Sequence, residues 1–323
     1  MMKARAKWQL AVLTACLAAG TAAAQGYPTR PVTLVNPYAA GGITDVAFRT
    51  IAAEAAKSLG QTILVENRTG AGGKIGANAI VAAAKDGYTV GIFNSGIGTN
   101  LPLMDPTFKM EPVRDYVPIT RAIETYVVLV ASPSAPYRDV KGLIDYARAN
   151  PGKLDVGSAG VGTTGHLSLA LLNSLAKLNL THVPYKGETP MLTDVMGGQI
   201  PLGFISATVK PQVDAGKVIG IAVSGGQRWS VFPNLPSFQE TGLNGFAASA
   251  WQGIVGPVGI PAEAVSRINR VVGTALQDAA VRKRLDELGL SVGASTPEEF
   301  TVFIRRELEV WGPVVRAANI KMD

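Results

Sequence analysis

Three glycine-rich segments have the residue types needed to hold a small anion. They are Pro37-Tyr38-Ala39-Ala40-Gly41-Gly42-Ile43-Thr44-Asp45, Asn67-Arg68-Thr69-Gly70-Ala71-Gly72-Gly73-Lys74-Ile75-Gly76 and Gly157-Ser158-Ala159-Gly160-Val161-Gly162-Thr163-Thr164-Gly165-His166. Each follows a short β-branched run, and the first and third lead into helical patterns. A helix start carries unpaired N–H groups and partial positive charge, which attract anions. Glycine lets the backbone approach the anion closely, and Ser and Thr add hydroxyl donors. Turns of this kind on two separate units predict a carboxylate site.

Other chemistries are weaker on the same residues. Gly160, Gly162 and Gly165 spell G-x-G-x-x-G, but a dinucleotide site needs an acid about 20 residues on. Val183-Pro184-Tyr185-Lys186 stand there, and Glu188 follows only after Gly187. The second segment is not a phosphate loop, because Ile75 follows Lys74 where Ser or Thr is required. Ser158 or Ser95 with His166 and an Asp is the alternative reading, an exported serine hydrolase. No G-x-S-x-G elbow supports it, since Phe93 and Val156 occupy the first glycine position. Two histidines, His166 and His182, and one cysteine exclude most metal sites built from those ligands. Neither a metal nor a cofactor is expected.

Strands and helices alternate around these turns. Val32–Val35, Thr62–Val65 and Tyr88–Phe93 read as strands, with a helix over Thr44–Leu59 stopped by Gly60. After a Pro- and charge-rich loop, 102–118, the pattern restarts. Val127–Val130, Lys153–Val156, Thr181–Val183, Gly203–Ile205 and Val218–Val223 read as strands, with helices at Asp139–Ala149, His166–Leu178, Pro190–Met196 and Val209–Ala215. Trp251–Gly256 is a further strand, followed by amphipathic stretches at Pro261–Leu288 and Pro297–Ala318. The alternation predicts an α/β fold with mostly parallel strands. The boundaries expected are a leader at 1–24, lobe 1 at 25–124 plus 248–323, and lobe 2 at 125–247.

The chain has 323 residues, 47% hydrophobic and 17% charged, which excludes disordered, coiled-coil and collagen-like classes. Its net charge is +6, but Lys3, Arg5 and Lys7 belong to the leader. No Lys/Arg cluster with stacking aromatics marks a nucleic-acid binder. The leader has a basic start, an apolar run from Trp8 to about Leu17 and a small-residue end at Ala22-Ala23-Ala24. That is a signal-peptide pattern cleaved after Ala24, predicting periplasmic export. Cleavage there removes Cys16, the only cysteine. Leu13-Thr14-Ala15-Cys16 also resembles a lipoprotein box, so anchoring through Cys16 is the minor alternative.

Together these residues resemble the substrate-binding proteins of tripartite tricarboxylate transporters, the Bug family. Ordered matches include Tyr27-Pro28, Arg30-Pro31, the 37–45 segment, Val65-Glu66-Asn67-Arg68, Asp86-Gly87-Tyr88-Thr89, Pro151-Gly152-Lys153-Leu154 and the 157–166 segment. They continue through His182-Val183-Pro184-Tyr185-Lys186-Gly187, Gly197-Gly198-Gln199 and Ser295-Thr296-Pro297-Glu298-Glu299-Phe300. The resemblance implies a two-lobed periplasmic binding protein of type II topology, with its ligand cleft between the lobes. It also implies a monomer without enzymatic activity that passes a small organic carboxylate to the membrane subunits of the transporter. Family ligands include di- and tricarboxylates, acidic amino acids, nicotinate and terephthalate.

In the family, loops matching 37–45 and 158–164 hold one carboxylate, partly through ordered waters. Carried over by position, Ala40, Gly41, Gly42 and Thr44 present donors from lobe 1, with Tyr38, Asn94 and Ser95 along the same wall. Ser158, Ala159, Gly160, Gly162, Thr163 and Thr164 answer from lobe 2, and Tyr185, Lys186 and Gly187 close that side. Asp45 is either a first-turn helix acid or part of the ligand's water network. His166 is either structural or stands behind the ligand. Ile43 adds bulk where many members have Gly. Ser206 stands where many carry an Asp able to pair with a ligand ammonium, so an amine-free acid such as terephthalate is expected over an acidic amino acid.

Overall fold

The computed structural model describes residues 26–321; the leader and Cys16 lie outside the described residues. Two sheets organise the chain. In the first, β1 (Val32–Asn36) is flanked by parallel β2 (Ile63–Asn67) and β3 (Thr89–Asn94). A long β10 (Ala250–Pro257) runs antiparallel to β3 and to β4 (Tyr116–Thr125), and β11 (Ser291–Val292) forms the edge. The order is β11-β4-β10-β3-β1-β2. The second sheet repeats the plan in the order β7-β6-β8-β5-β9, where β5 is Val128–Ala131, β6 Asp155–Ser158, β7 Thr181–Pro184, β8 Leu202–Ile205 and β9 Ile219–Val223.

Each sheet's antiparallel central strand, β10 or β5, enters just after the chain crosses from the other lobe. The result is two lobes, each a sheet covered by helices on both faces, as the near-continuous apolar strands require. Helices α1 (Ile43–Leu59), α8 (Ala262–Ala275) and α9 (Ala279–Glu287) cover one face of the first sheet, where Leu34, Phe48, Ile92, Ile254 and Ile268 pack together. α2 (Lys74–Val81) lies on the other face, with Ile80 against Phe93 and Trp251. The four-residue α3 (Leu101–Met104) follows β3. In the second lobe, α4 (Val140–Ala149) and α5 (Thr164–Ala176) pack on one face, and α6 (Glu188–Met196) and α7 (Lys210–Asp214) lie with the strands of the other.

β4 was expected to be loop as far as Pro118. Pro118 stands next to a register shift at Ile254/Val255, where a missing N–H does little harm to the ladder. Arg121 and Glu124 further blur the alternation along that strand. The segment 67–76 likewise runs into an unexpected helix, α2, whose apolar spacing is masked by the glycines before it and by Gly76 within it.

The lobes are joined by β4–β5 through Tyr126 and Val127, and by the return into β10. Ser224 clasps both crossings. Its Oγ accepts from Val127 N at 3.0 Å and donates to Ala248 O at 2.7 Å, and its own amide donates to Val127 O at 2.8 Å. The last helix, α10 (Pro297–Ala317), starts with a Thr296/Glu299 capping box and makes a third link. Phe300 and Ile304 pack into the first lobe, whereas Trp311, Val314 and Val315 pack into the core of the second. The C-terminal turns of α10 therefore serve lobe 2, although 248–323 was expected wholly in lobe 1.

Between those halves, Glu307 Oε2 accepts from Trp251 Nε1 at 3.0 Å and from Trp311 Nε1 at 3.2 Å. Burial pushes its carboxyl from 4.5 up to about 7, against the pull of the two indole donors. Between about pH 4.5 and 7 the folded chain then holds a proton that the unfolded chain has released, so stability falls as pH rises through that window. Glu307→Gln is expected to flatten this slope and to stabilise the protein at pH 8 by on the order of 1–2 kcal/mol. Urea melts at pH 5 and pH 8 would show it; an unchanged slope would refute the assignment.

Candidate functional site

The 37–45 loop is built around one buried acid. Asp45 is 3% exposed. Its Oδ2 accepts from Gly41 N at 3.0 Å and Arg49 Nε at 2.9 Å, while Oδ1 accepts from Asn67 Nδ2 at 2.9 Å and Asn36 Nδ2 at 3.3 Å. These bonds, led by that from Arg49, hold the carboxyl far below the usual range despite burial. Asp45 thus frames the loop from within. Tyr38 belongs to the same frame: its carbonyl accepts from Asn67, and its hydroxyl donates to Asn94 Oδ1 at 2.9 Å. Asn94 Oδ1 also accepts from Ile97 N, fixing the turn that contains Ser95.

Within the loop, Gly41 N is directed at Asp45 and Gly42 N at Ala39 O. Ala40 lies at the exposed tip. Gly42 caps α1 without a side-chain bond, so the first-turn amides of Ile43 and Thr44 have no partner from a capping side chain. Ile43 itself is 53% exposed.

The 157–166 loop has a matching construction. Gly160 has φ +142°, a conformation open to glycine and strained for other residues. Its carbonyl accepts from Ser158 Oγ at 3.0 Å and Thr163 Oγ1 at 2.8 Å, and its amide donates to Ser158 Oγ at 3.2 Å. Gly162 N donates to His166 Nδ1 at 3.2 Å, while Gly162 O accepts from Asn100 of lobe 1 at 2.9 Å. Ala159 O accepts from Gly187 N, which ties this loop to the start of α6. Thr163 caps α5, accepting from His166 N. Thr164 and Gly165 are left as the first-turn amides without a capping partner. Gly165 was absent from the expected set. A Cβ there would sit 3.1 Å from Phe204 Cβ and 3.3 Å from Ser158 Cβ, so the helix start rests directly on the strands.

The two histidines stack below this loop, with ring centroids 3.6 Å apart and planes within 10°. Burial, then the neighbouring His182, pushes His166 down to about 4, and burial lowers His182. Both are neutral near pH 7, so neither ring adds positive charge beside the loop. Ser158 does meet a histidine, but that partner is His182, at 2.7 Å from Oγ. Ser158 is fully buried, and the hydrolase pairing with His166 is not formed.

Other expected residues are engaged elsewhere. Tyr185 OH donates to Asp194 Oδ2 at 2.8 Å, and Lys186 is exposed; Arg68, outside the expected set, pairs with Glu66 at 2.8 Å. Ser206 donates to Glu188 Oε2 at 2.6 Å, and Glu188 was not in the expected set. A cavity of about 240 Å³ lies between the crossings and the lobe 2 wall; Tyr126, Val127, Thr164, Glu188, Phe204 and Ser206 are among its lining residues. Residues 38–45 do not line it.

Comparison with known proteins agrees with this architecture. The family described as the tripartite tricarboxylate transporter family receptor matches residues 47–320. Protein BugT of Bordetella pertussis is 32% identical over 314 residues, covering 96% of each chain. An R. palustris protein solved with adipate is 33% identical, covers 91% of this chain and 99% of its own, and has a TM-score of 0.72. A solute-binding protein from Polaromonas solved without ligand is 27% identical, covers 90% and 99%, and has a TM-score of 0.82. The matched family is one of transporter receptors and not of enzymes. The two-lobed α/β architecture, the family match over residues 47–320 and a relative 32% identical along nearly the whole chain place this protein in the tripartite tricarboxylate transporter receptor family.

Proposed function

We propose that the protein is a periplasmic receptor that traps one small organic carboxylate between its lobes and delivers it to the membrane subunits of a tripartite tricarboxylate transporter. The observation that supports this reading is the pair of helix starts on separate lobes whose leading amides no capping side chain takes up: Ile43 and Thr44 on α1, Thr164 and Gly165 on α5, where the Thr163 cap reaches only His166 N. Helix-start amides bind anions through aligned N–H donors and the macrodipole. Ile43 and Val161, 53% and 48% exposed, place apolar surface on the same two loops. Closure over an organic acid would bury that surface, and contacts made only when closed would shift the population toward closure.

The cavity beside the start of α5 is lined from lobe 2 and the crossings, without the 38–45 loop. Among the described residues no helix is long and apolar enough to cross a membrane, consistent with a receptor that works beside its permease.

A thermal-shift panel tests the proposal. A carboxylate present at about 100 times its Kd should stabilise the protein by about 2.7 kcal/mol and raise Tm by several degrees. No shift with any di-, tri-, aromatic or amino-carboxylate would refute it.

A further inference from the structure

The cavity wall holds a carboxylate that no cation neutralises. Glu188 opens α6 but does not cap its own helix. It reaches across to the end of β8, where Oε1 accepts from Ser206 N at 2.9 Å and Oε2 accepts from Ser206 Oγ at 2.6 Å and Thr208 Oγ1 at 2.9 Å. Every one of these donors is neutral. A carboxylate offers about four acceptor positions, so one on Oε1 remains unused. Among the described residues, no Lys, Arg or His nitrogen forms an ion pair with it. The charge faces a cavity walled by Tyr126, Val127 and Phe204, and closure would leave it less hydrated.

An unpaired carboxylate in a closing pocket repels a second carboxylate and attracts a cation. The same cavity is lined by Thr164 and Gly165, the first two residues of α5, whose amides the Thr163 cap does not take up. Its lining therefore combines the positive start of a helix, the negative Glu188 and apolar and aromatic side chains. We propose that Glu188 is a specificity-determining residue that receives the protonated amine of a zwitterionic ligand: an amine-bearing carboxylic acid on a short apolar skeleton. This rests on the carboxylate-receptor reading and narrows it. It also reverses the expectation drawn from Ser206, because the negative charge absent at 206 arrives from 188 on another element, held by the Ser206 hydroxyl itself.

Isothermal titration of the full mature chain with matched acids tests this. The pairs are pentanoate with 2-aminopentanoate, pentanoate with 5-aminopentanoate, and glutarate with glutamate. In at least one pair the amine-bearing member is expected to bind about tenfold tighter or more, the usual worth of a charge-assisted hydrogen bond. Glu188→Gln should remove that preference by weakening the amine-bearing ligand about tenfold, while its amine-free partner, relieved of a repelling charge, binds no more weakly than before. Tighter or equal binding of the amine-free member in every pair overturns the proposal, as does a preference that survives Glu188→Gln. The wild-type panel decides the matter even if the variant fails to fold. If amine-free acids bind and amines do not, only the role of Glu188 falls. If no acid binds, the carboxylate reading falls with it.

Discussion

Asp45→Ala is expected to destabilise the protein by roughly 3 kcal/mol and to remove carboxylate binding. Breaking a buried, hydrogen-bonded charge by deleting one partner costs about 3–5 kcal/mol. The lower end applies here because Arg49, 48% exposed, can return to water. Asn36, Asn67 and Gly41 would lose an acceptor they share, and water cannot readily reach a residue that is 3% exposed. At roughly 2–4 °C per kcal/mol, Tm should fall by about 6–12 °C. Asp45→Asn, which keeps an acceptor, should fall between. The carboxyl's lowered pKa makes its contribution present above the ordinary aspartate range and lost only as pH falls through the lowered value. The wild type should therefore show no Asp45-dependent loss between pH 5 and 8. Equal melting of wild type and Asp45→Ala would contradict the framing role.

Gly160→Val is expected to reduce ligand affinity by roughly 5- to 150-fold, with a smaller effect on the rest of lobe 2. A β-branched residue at φ +142° carries strain of about 1–3 kcal/mol, which the loop can relieve only by turning its peptide. That peptide carries the carbonyl held by both Ser158 and Thr163, so relief would disturb the cap of α5 and the direction of its first amides. Circular dichroism should show retained helix, and calorimetry the weakened binding. Unchanged affinity would mean that the 158–164 loop is not part of the grip.

Much of this was legible in the chain because local and global signals agreed. The helix over 44–59 announced its end through Gly60, and strands such as β1 announced themselves through their β-branched runs. β4 was hidden because Pro118, Arg121 and Glu124 interrupt its alternation, and only pairing with β10 makes it a strand. At the candidate site, the sequence singled out the two loops but not which of their amides are taken up by side chains. Gly41 and Gly162 turn their N–H groups to Asp45 and His166, choices set by tertiary partners. Glu188 went unread because its significance lies in reaching Ser206, eighteen residues away on the far side of a strand.

The central claim is that opposed helix starts hold a carboxylate by backbone amides between two lobes. A crystal structure of the protein with a bound acid tests it most directly. One carboxylate should lie within about 2.7–3.2 Å, directly or through one water, of first-turn amides of both α1 and α5. An occupied complex in which that cleft is empty, or in which Lys186 or Arg68 supplies the main contacts, would contradict it.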